Sequence, residues 1–407
     1  MYHSIRHGQR HVFLAAWIAY AGYYLCRLNF GQVQAALGEE LHLGPLALGK
    51  IILAHSVLYV VGQLANGMIC DHVGARIMAA TGAFGSAAMC ALLPVFRDPV
   101  ALMVVWGANG YFQSMGYSAC VRALANWFEP SRRGRLNSFF ALSYQTGPVW
   151  AWMLAAAVAS AWGWRFAFYV PAGILTLIGI FVAVRLLDSP GDALLAPGAA
   201  APDVRQRADA VKATLRSAWV WSAGIGASFV SIAMYGVTYW LPNYLQDKLG
   251  ATAQLASAWR AALFPLAGGL GALVAGWMSD RLLKGHRIIP VLSASSLLGG
   301  IAIWAFGFCD PAHNLALSAL VLALSGFFMF ASHVHVVGTV AMELGGRDAT
   351  GSSVGIINAV SNLGAIVASI GTGAVVERLG WGWVFPLWGL SVLAGAALLG
   401  ALWWRRA

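Results

Sequence analysis

Tyr20, Tyr24 and Arg27 fall at i, i+4 and i+7 inside the first long apolar segment, so a helix puts them on one face. Two phenols and a guanidinium on one face can hold an oxyanion. The guanidinium supplies a planar fork of donors, and the phenols add neutral hydroxyl donors. A cation this deep in an apolar segment costs roughly 2.5–3.5 kcal/mol on insertion scales. The segment contains no Asp or Glu, so the expected counter-charge is an anion that binds from outside it. The competing reading is an Arg packed on a backbone carbonyl, with the aromatics as filler.

Other polar pairs repeat the helical spacing in later segments. Gln113 and Tyr117, Tyr235 and Tyr239, and Asn358 and Asn362 are each i, i+4. With Tyr144 and His333 they complete the candidate ligand contacts; hydrogen bonds between helices are the alternative use of such stripes. His333 and His335 are i, i+2 and point to different faces, so one of them at most meets a cavity. His55 is the third histidine at depth. Arg122 is read as snorkelling or pairing with Glu129, and Arg260 as a charge near the rim. A metal site is not expected, because these histidines lack carboxylate or thiolate partners at ligand spacing. Cys26, Cys70, Cys90, Cys120 and Cys309 read as free thiols. No phosphate-cradling loop, nucleophile elbow or zinc spacing occurs, so enzyme chemistry and a resident cofactor are not expected.

The elements that must position these residues are set by composition. Of 407 residues, 59% are hydrophobic and 10% charged, against about 25% charged in soluble domains. Such a chain cannot coat itself for water. Apolar runs recur at about 12–31, 48–69, 77–96, 100–126, 135–160, 165–187, 218–246, 254–279, 288–309, 312–342, 350–377 and 382–404, each able to cross a bilayer as a helix. Lys and Arg gather on one set of loops and tails, among them Arg6, Arg10, Arg132, Arg133, Arg205, Arg207, Lys284, Arg287, Arg405 and Arg406. The opposite set holds Lys50, Arg97, Arg165, Lys248 and Arg378. This bias predicts both termini on the cytoplasmic side of an inner membrane. It also explains the net charge of +10 without a nucleic-acid partner. No cleavable signal peptide is read at the N-terminus.

The runs divide six and six around a polar stretch at 188–217, giving halves 1–187 and 218–407. The halves echo each other. Gly67 to Arg76 follows the second run with Asp71 inside it, and Gly276 to Arg281 follows the eighth with Asp280 inside it. Gly163-Trp164-Arg165 opens the sixth run, and Gly380-Trp381-Gly382-Trp383 opens the twelfth. Asp71, Arg76, Asp280 and Arg281 are candidate gating residues. Their carboxylates can accept from helix N-termini, and their guanidiniums can pair across the bundle.

The Gly-x-x-x-Asp-x-x-Gly-x-Arg loop, its echo and the parallel six-span repeat resemble the major facilitator superfamily. Within it, Tyr23 to Phe30, Asn109 to Tyr117, Trp127-Phe128 with Arg133-Gly134, and Gly276 to Asp280 resemble the organophosphate:phosphate antiporters. The resemblance implies that Arg27 binds substrate phosphate, with Tyr20 and Tyr24 beside it. The sequence departs from that pattern elsewhere. Met234 stands where the second phosphate-binding Arg falls, and Leu28 and Gln63 stand at two basic positions. Phe140 to Pro148 replaces a His- and Gly-rich stretch.

The expectation is therefore an all-α polytopic membrane protein, with twelve transmembrane helices in two pseudo-symmetric six-helix bundles. It would act as a monomer and as a secondary transporter of a small organic anion, phosphate ester or carboxylate-like. Alternating access would occur around a mid-membrane site between the halves, with a counter-anion exchanged. The alternatives are export of a bulkier polar metabolite, such as a siderophore or drug, and a transporter-fold sensor.

Overall fold

A computed structural model describes residues 5–128, 130–188, 212, 214–250, 253–281 and 288–404. The helices are α1 (Ile5–Tyr23), α2 (Asn29–Leu41), α3 (Pro45–Val73), α4 (Ala75–Leu92), α5 (Pro99–Trp127), α6 (Pro130–Trp162) and α7 (Phe166–Arg185). They continue with α8 (Ala218–Leu249), α9 (Gln254–Arg281), α10 (Ile288–Phe306), α11 (Leu315–His335), α12 (Ala341–Leu379) and α13 (Val384–Trp404). With α1 and α2 taken as one broken span, α3 to α13 complete the twelve expected. Among the described residues, eight helices are long and apolar enough to cross a membrane by themselves. The fourth span, α5, is not one of them, because it carries Asn109, Gln113, Ser114 and Arg122. Many large apolar side chains point outward, including Leu14, Val104, Leu177, Leu270, Leu320 and Leu390. This is the pattern of helices that face lipid.

The chain forms two compact units, Met1–Pro197 with Gly250–Ala262, and Gly198–Leu249 with Leu263–Ala407. The first unit has a core of small residues from α1 and α4 (Ala15, Ala16, Ala19, Ala75, Ala79), closed by Met115, Trp127 and Phe140. Small residues let helices approach closely where lipid gives no hydrophobic drive between them. The closest approach in this unit is at Gly110 of α5, where an added Cβ would collide with the carbonyl oxygen of His55 on α3. The second unit repeats it: a Cβ on Gly326 of α11 would strike the carbonyl of Phe264 on α9.

A second repeated device sits at the Gly-Trp corners. Gly163 (φ +92°) and Gly380 (φ +77°) turn the chain in the left-handed region that favours glycine. The next residue in each case is a tryptophan whose indole reaches an acid on the opening span of its own unit. Trp164 Nε1 donates to Glu40 Oε2 at 2.8 Å, and Trp381 Nε1 donates to Asp247 Oδ2 at 2.8 Å. The first corner is reinforced by Arg165, which grips Glu40 with both terminal nitrogens and lies 4.5 Å from the centre of the Trp164 ring.

Candidate functional site

The first span does not run straight through as a helix. It leaves α-geometry at Tyr23, makes a 3₁₀ turn at Tyr24–Cys26 and resumes at Asn29. Arg27 lies in this break. Its backbone N–H and that of Leu28 both reach the Tyr24 carbonyl, at 3.1 and 3.0 Å. A break inside a span frees carbonyls that lipid cannot satisfy. Here α5 satisfies them. Asn109 Nδ2 donates to the Cys26 carbonyl at 3.0 Å, and Gln113 Nε2 donates to the Tyr23 carbonyl at 2.9 Å. Ser86 ties the two amides together, accepting from Gln113 Nε2 at 2.7 Å and donating to Asn109 Oδ1 at 3.0 Å. The Gln113 amide nitrogen therefore holds the backbone that carries Arg27, the helix-to-helix use that such a polar stripe also allows.

Arg27 is 9% exposed. Its guanidinium carbon lies 4.2 Å from the centre of the Tyr59 ring and 5.4 Å from that of Tyr24. Both fall inside the roughly 6 Å range of cation–π attraction. A guanidinium takes carboxylates and phosphates along the plane of its N–H fork. Gln63 Nε2 donates to the Tyr59 hydroxyl at 3.2 Å. Tyr20 centres an aromatic cluster, with ring centroids 5.7 Å from Tyr24, 5.5 Å from Tyr117, 5.4 Å from Phe140 and 6.3 Å from Tyr144. Four of the tyrosines named from sequence thus come together, with Tyr117 on the open edge. Tyr59 was missed. Its signal was available, since His55, Tyr59 and Gln63 form an i, i+4, i+8 stripe on α3.

The second unit has its own polar group. His333 Nε2 lies 2.8 Å from Ser231 Oγ and 2.9 Å from Ser361 Oγ, and the two hydroxyls are 2.8 Å apart. Tyr235 OH donates to Asn362 Oδ1 at 3.0 Å and stacks on Tyr239 at 5.8 Å. Asn358 is half-buried one turn earlier on α12. The sequence reading omitted Ser231 and Ser361, because a lone serine in a span carries no spacing signal. His335 turns to the Ala272 carbonyl on α9, away from His333, as the i, i+2 spacing requires. Met234 is buried where the antiporter pattern has its second arginine.

Of the gating residues, the side chains of Asp71, Asp280 and Arg281 lie outside the described residues, as does Glu129. Arg76 is exposed, and its backbone N–H donates to Asp188 Oδ1 at 2.9 Å. Asp188 follows α7 and caps the start of α4. Its own carbonyl accepts from Asn126 Nδ2 at 3.0 Å, and the neighbouring Leu187 carbonyl accepts from Trp127 Nε1 at 2.9 Å. Among the described residues no cluster of three or more His, Cys, Asp or Glu could hold a metal ion.

A helical membrane protein of twelve spans in repeated halves, with a buried arginine in a broken first span, has the architecture of a carrier. The family model described as Major Facilitator Superfamily matches residues 12–369 and 258–407, and the chain belongs to that family. It is 27% identical over 372 residues to a glycerol-3-phosphate transporter of Bacillus subtilis (strain 168), covering 87% of this chain and 82% of that one. It is 26% identical to the membrane sensor protein UhpC of Escherichia coli (strain K12), covering 97% and 91%. It is also 26% identical to a probable hexose phosphate transport protein of Chlamydia pneumoniae, covering 95% and 89%. Among solved structures, a bacterial homologue of the lysosomal transporter Spinster, inward-facing and unoccupied, aligns with TM-score 0.78 at 13% identity, covering 97% and 95%. The nucleoside transporter NupG (D323A mutant) aligns with TM-score 0.72 at 16% identity, covering 96% and 99%. These two share the fold.

Proposed function

We propose that this protein is a secondary active transporter of a small organic anion, a phosphate ester or a carboxylate-like compound, and that it works by alternating access and anion exchange. The observation that carries the reading is Arg27, nearly buried in the break of the first span between the rings of Tyr24 and Tyr59. Its surroundings give it donors, aromatic walls and a rigid backbone. The names of the glycerol-3-phosphate and hexose phosphate relatives favour a phosphate ester as the anion. With Met234 in place of a second arginine, one guanidinium suits a singly charged anion better than a fully ionised phosphate. The carrier resides in the inner membrane with both termini cytoplasmic, on the distribution of Lys and Arg. Asp71, Arg76, Asp280 and Arg281 bias the balance between inward- and outward-open states.

Exchange follows from the charge arithmetic. A counter-anion on Arg27 keeps the charge of the site the same on the outward and return halves of the cycle. The test is uptake of labelled glycerol 3-phosphate and glucose 6-phosphate into proteoliposomes, with and without phosphate inside. Uptake that needs internal anion supports the reading. A sensor is the second reading, favoured by the match to UhpC along 97% of the chain. A sensor would bind the same esters and move none of them.

A further inference from the structure

His55 is 2% exposed, and its Nε2 makes no hydrogen bond among the described residues. A buried, unsatisfied ring nitrogen is unfavourable unless something meets it. The ring is held firmly. Its backbone is pressed against Gly110 of α5, and Trp106 packs on it with centroids 5.3 Å apart. On another side it lies nearly parallel to Tyr59, with centroids 6.3 Å apart and planes 8° apart. Tyr59 is also the ring that carries Arg27. The unpartnered nitrogen is therefore one aromatic ring away from the guanidinium, on a stripe whose last member, Gln63, already donates to the Tyr59 oxygen.

We infer that His55 is a specificity residue, whose Nε2 takes a hydroxyl on the carbon skeleton of the anion that Arg27 holds. This rests on the reading of Arg27 as the anion site. A hydroxyl is the neutral group best matched to the position. It donates to an unprotonated Nε2 and accepts from a protonated one, so either tautomer is served. A plain alkyl ester has nothing to offer there, and inorganic phosphate has no carbon skeleton to carry a hydroxyl to it. A site built to bond a substrate hydroxyl rejects the analogue without it, because its own polar atom is then left buried and unmet.

The test is exchange by the full-length protein in proteoliposomes, with glycerol 3-phosphate, glucose 6-phosphate, propyl phosphate and inorganic phosphate as competitors. His55→Phe keeps the ring stack and removes the nitrogen. It is expected to raise the half-saturation concentration for at least one hydroxylated ester by about tenfold, the size of one neutral hydrogen bond. Propyl phosphate and inorganic phosphate should stay within about twofold. His55→Gln, which restores a polar atom, should recover part of the loss. An equal loss for all four compounds, or for none, overturns the inference. A fall in melting temperature for His55→Phe with the profile unchanged would assign the residue to packing. If inorganic phosphate competes in the wild type and not in Arg27→Ala, the anion site stands whatever His55 does. If no phosphate compound competes in the wild type, the phosphate-ester reading falls and this inference with it.

Discussion

The side-chain amide of Gln113 donates to the backbone carbonyl of Tyr23, 2.9 Å away, where the first span stops being an α-helix. The bond crosses from the fourth span to the first. It satisfies a carbonyl that would otherwise face an apolar interior without a partner. Asn109 does the same for Cys26 on the other side of the break. Arg27 owes its position to this pair as much as to its own contacts.

Gln113→Leu and Asn109→Leu should each destabilise the protein by about 1–3 kcal/mol, the usual cost of leaving a buried carbonyl unmet. Because Ser86 joins the two amides, the double variant should lose less than the sum of the singles. Thermal melts of the four proteins in detergent check this. Unchanged melting temperatures would mean that the break holds itself.

The corner at Glu40 gives a pH dependence whose sign can be worked out. Hydrogen bonds from Arg165, and then from Trp164, hold the Glu40 carboxyl at about 2, below its usual 4.5. A depressed carboxylate stabilises the fold above its ordinary value, and that stability is lost as pH falls toward the folded one. Glu40→Gln should therefore lower the melting temperature modestly at pH 7, since the pair is exposed and screened by solvent. The gap should narrow between about pH 4.5 and pH 2. A gap that is constant with pH would show that the ion pair contributes nothing.

Exchange rather than proton coupling has its own test in the second unit. His333 is engaged with Ser231 and Ser361. His333→Gln, which can still bond both hydroxyls, should retain at least half of wild-type exchange. Uptake should not follow an imposed pH gradient into anion-free vesicles. Gradient-driven uptake that vanishes in His333→Gln or His55→Gln would mean coupling through a histidine.

Asp188 offers a probe of the proposed gating role of Arg76. Asp188→Ala removes the acceptor for the Arg76 N–H, a loss comparable to that of a helix cap, about 0.5–2 kcal/mol. It should change the distribution of inward- and outward-open states, read by distance measurements between spin labels, with affinity within one state unchanged. An unaltered distribution would confine Asp188 to capping α4.

The spans, the repeat and the anion chemistry were legible because each depends on a local pattern. Twelve apolar runs follow from composition, and helical spacing groups Tyr20 with Tyr24, whereas Arg27 meets Tyr24 from inside the break, where the helical period no longer applies. The break at Tyr24–Cys26 was not legible. No Pro lies in it, Gly22 and Gly31 flank it without a positive φ, and the groups that permit it, Asn109 and Gln113, lie more than 80 residues away in sequence. The same spacing rule did not give the partners of Gln113, because an i, i+4 pair fixes a shared face and leaves the neighbour unnamed. The Gly-Trp repeat was visible at Trp164 and Trp381. Its meaning needed the partners Glu40 and Asp247, at positions that only tertiary packing selects.

The most direct test of the anion site is counterflow of labelled glycerol 3-phosphate and glucose 6-phosphate in proteoliposomes loaded with phosphate, for wild type, Arg27→Ala and Arg27→Lys. The account expects exchange in the wild type and at least a hundredfold loss in both variants, since an ammonium cannot reproduce the planar fork, a difference of about 2.7 kcal/mol. Melting temperatures should stay within a few degrees of the wild type, because removing a nearly buried cation also removes its desolvation penalty. Exchange by Arg27→Ala at the wild-type rate would contradict the account.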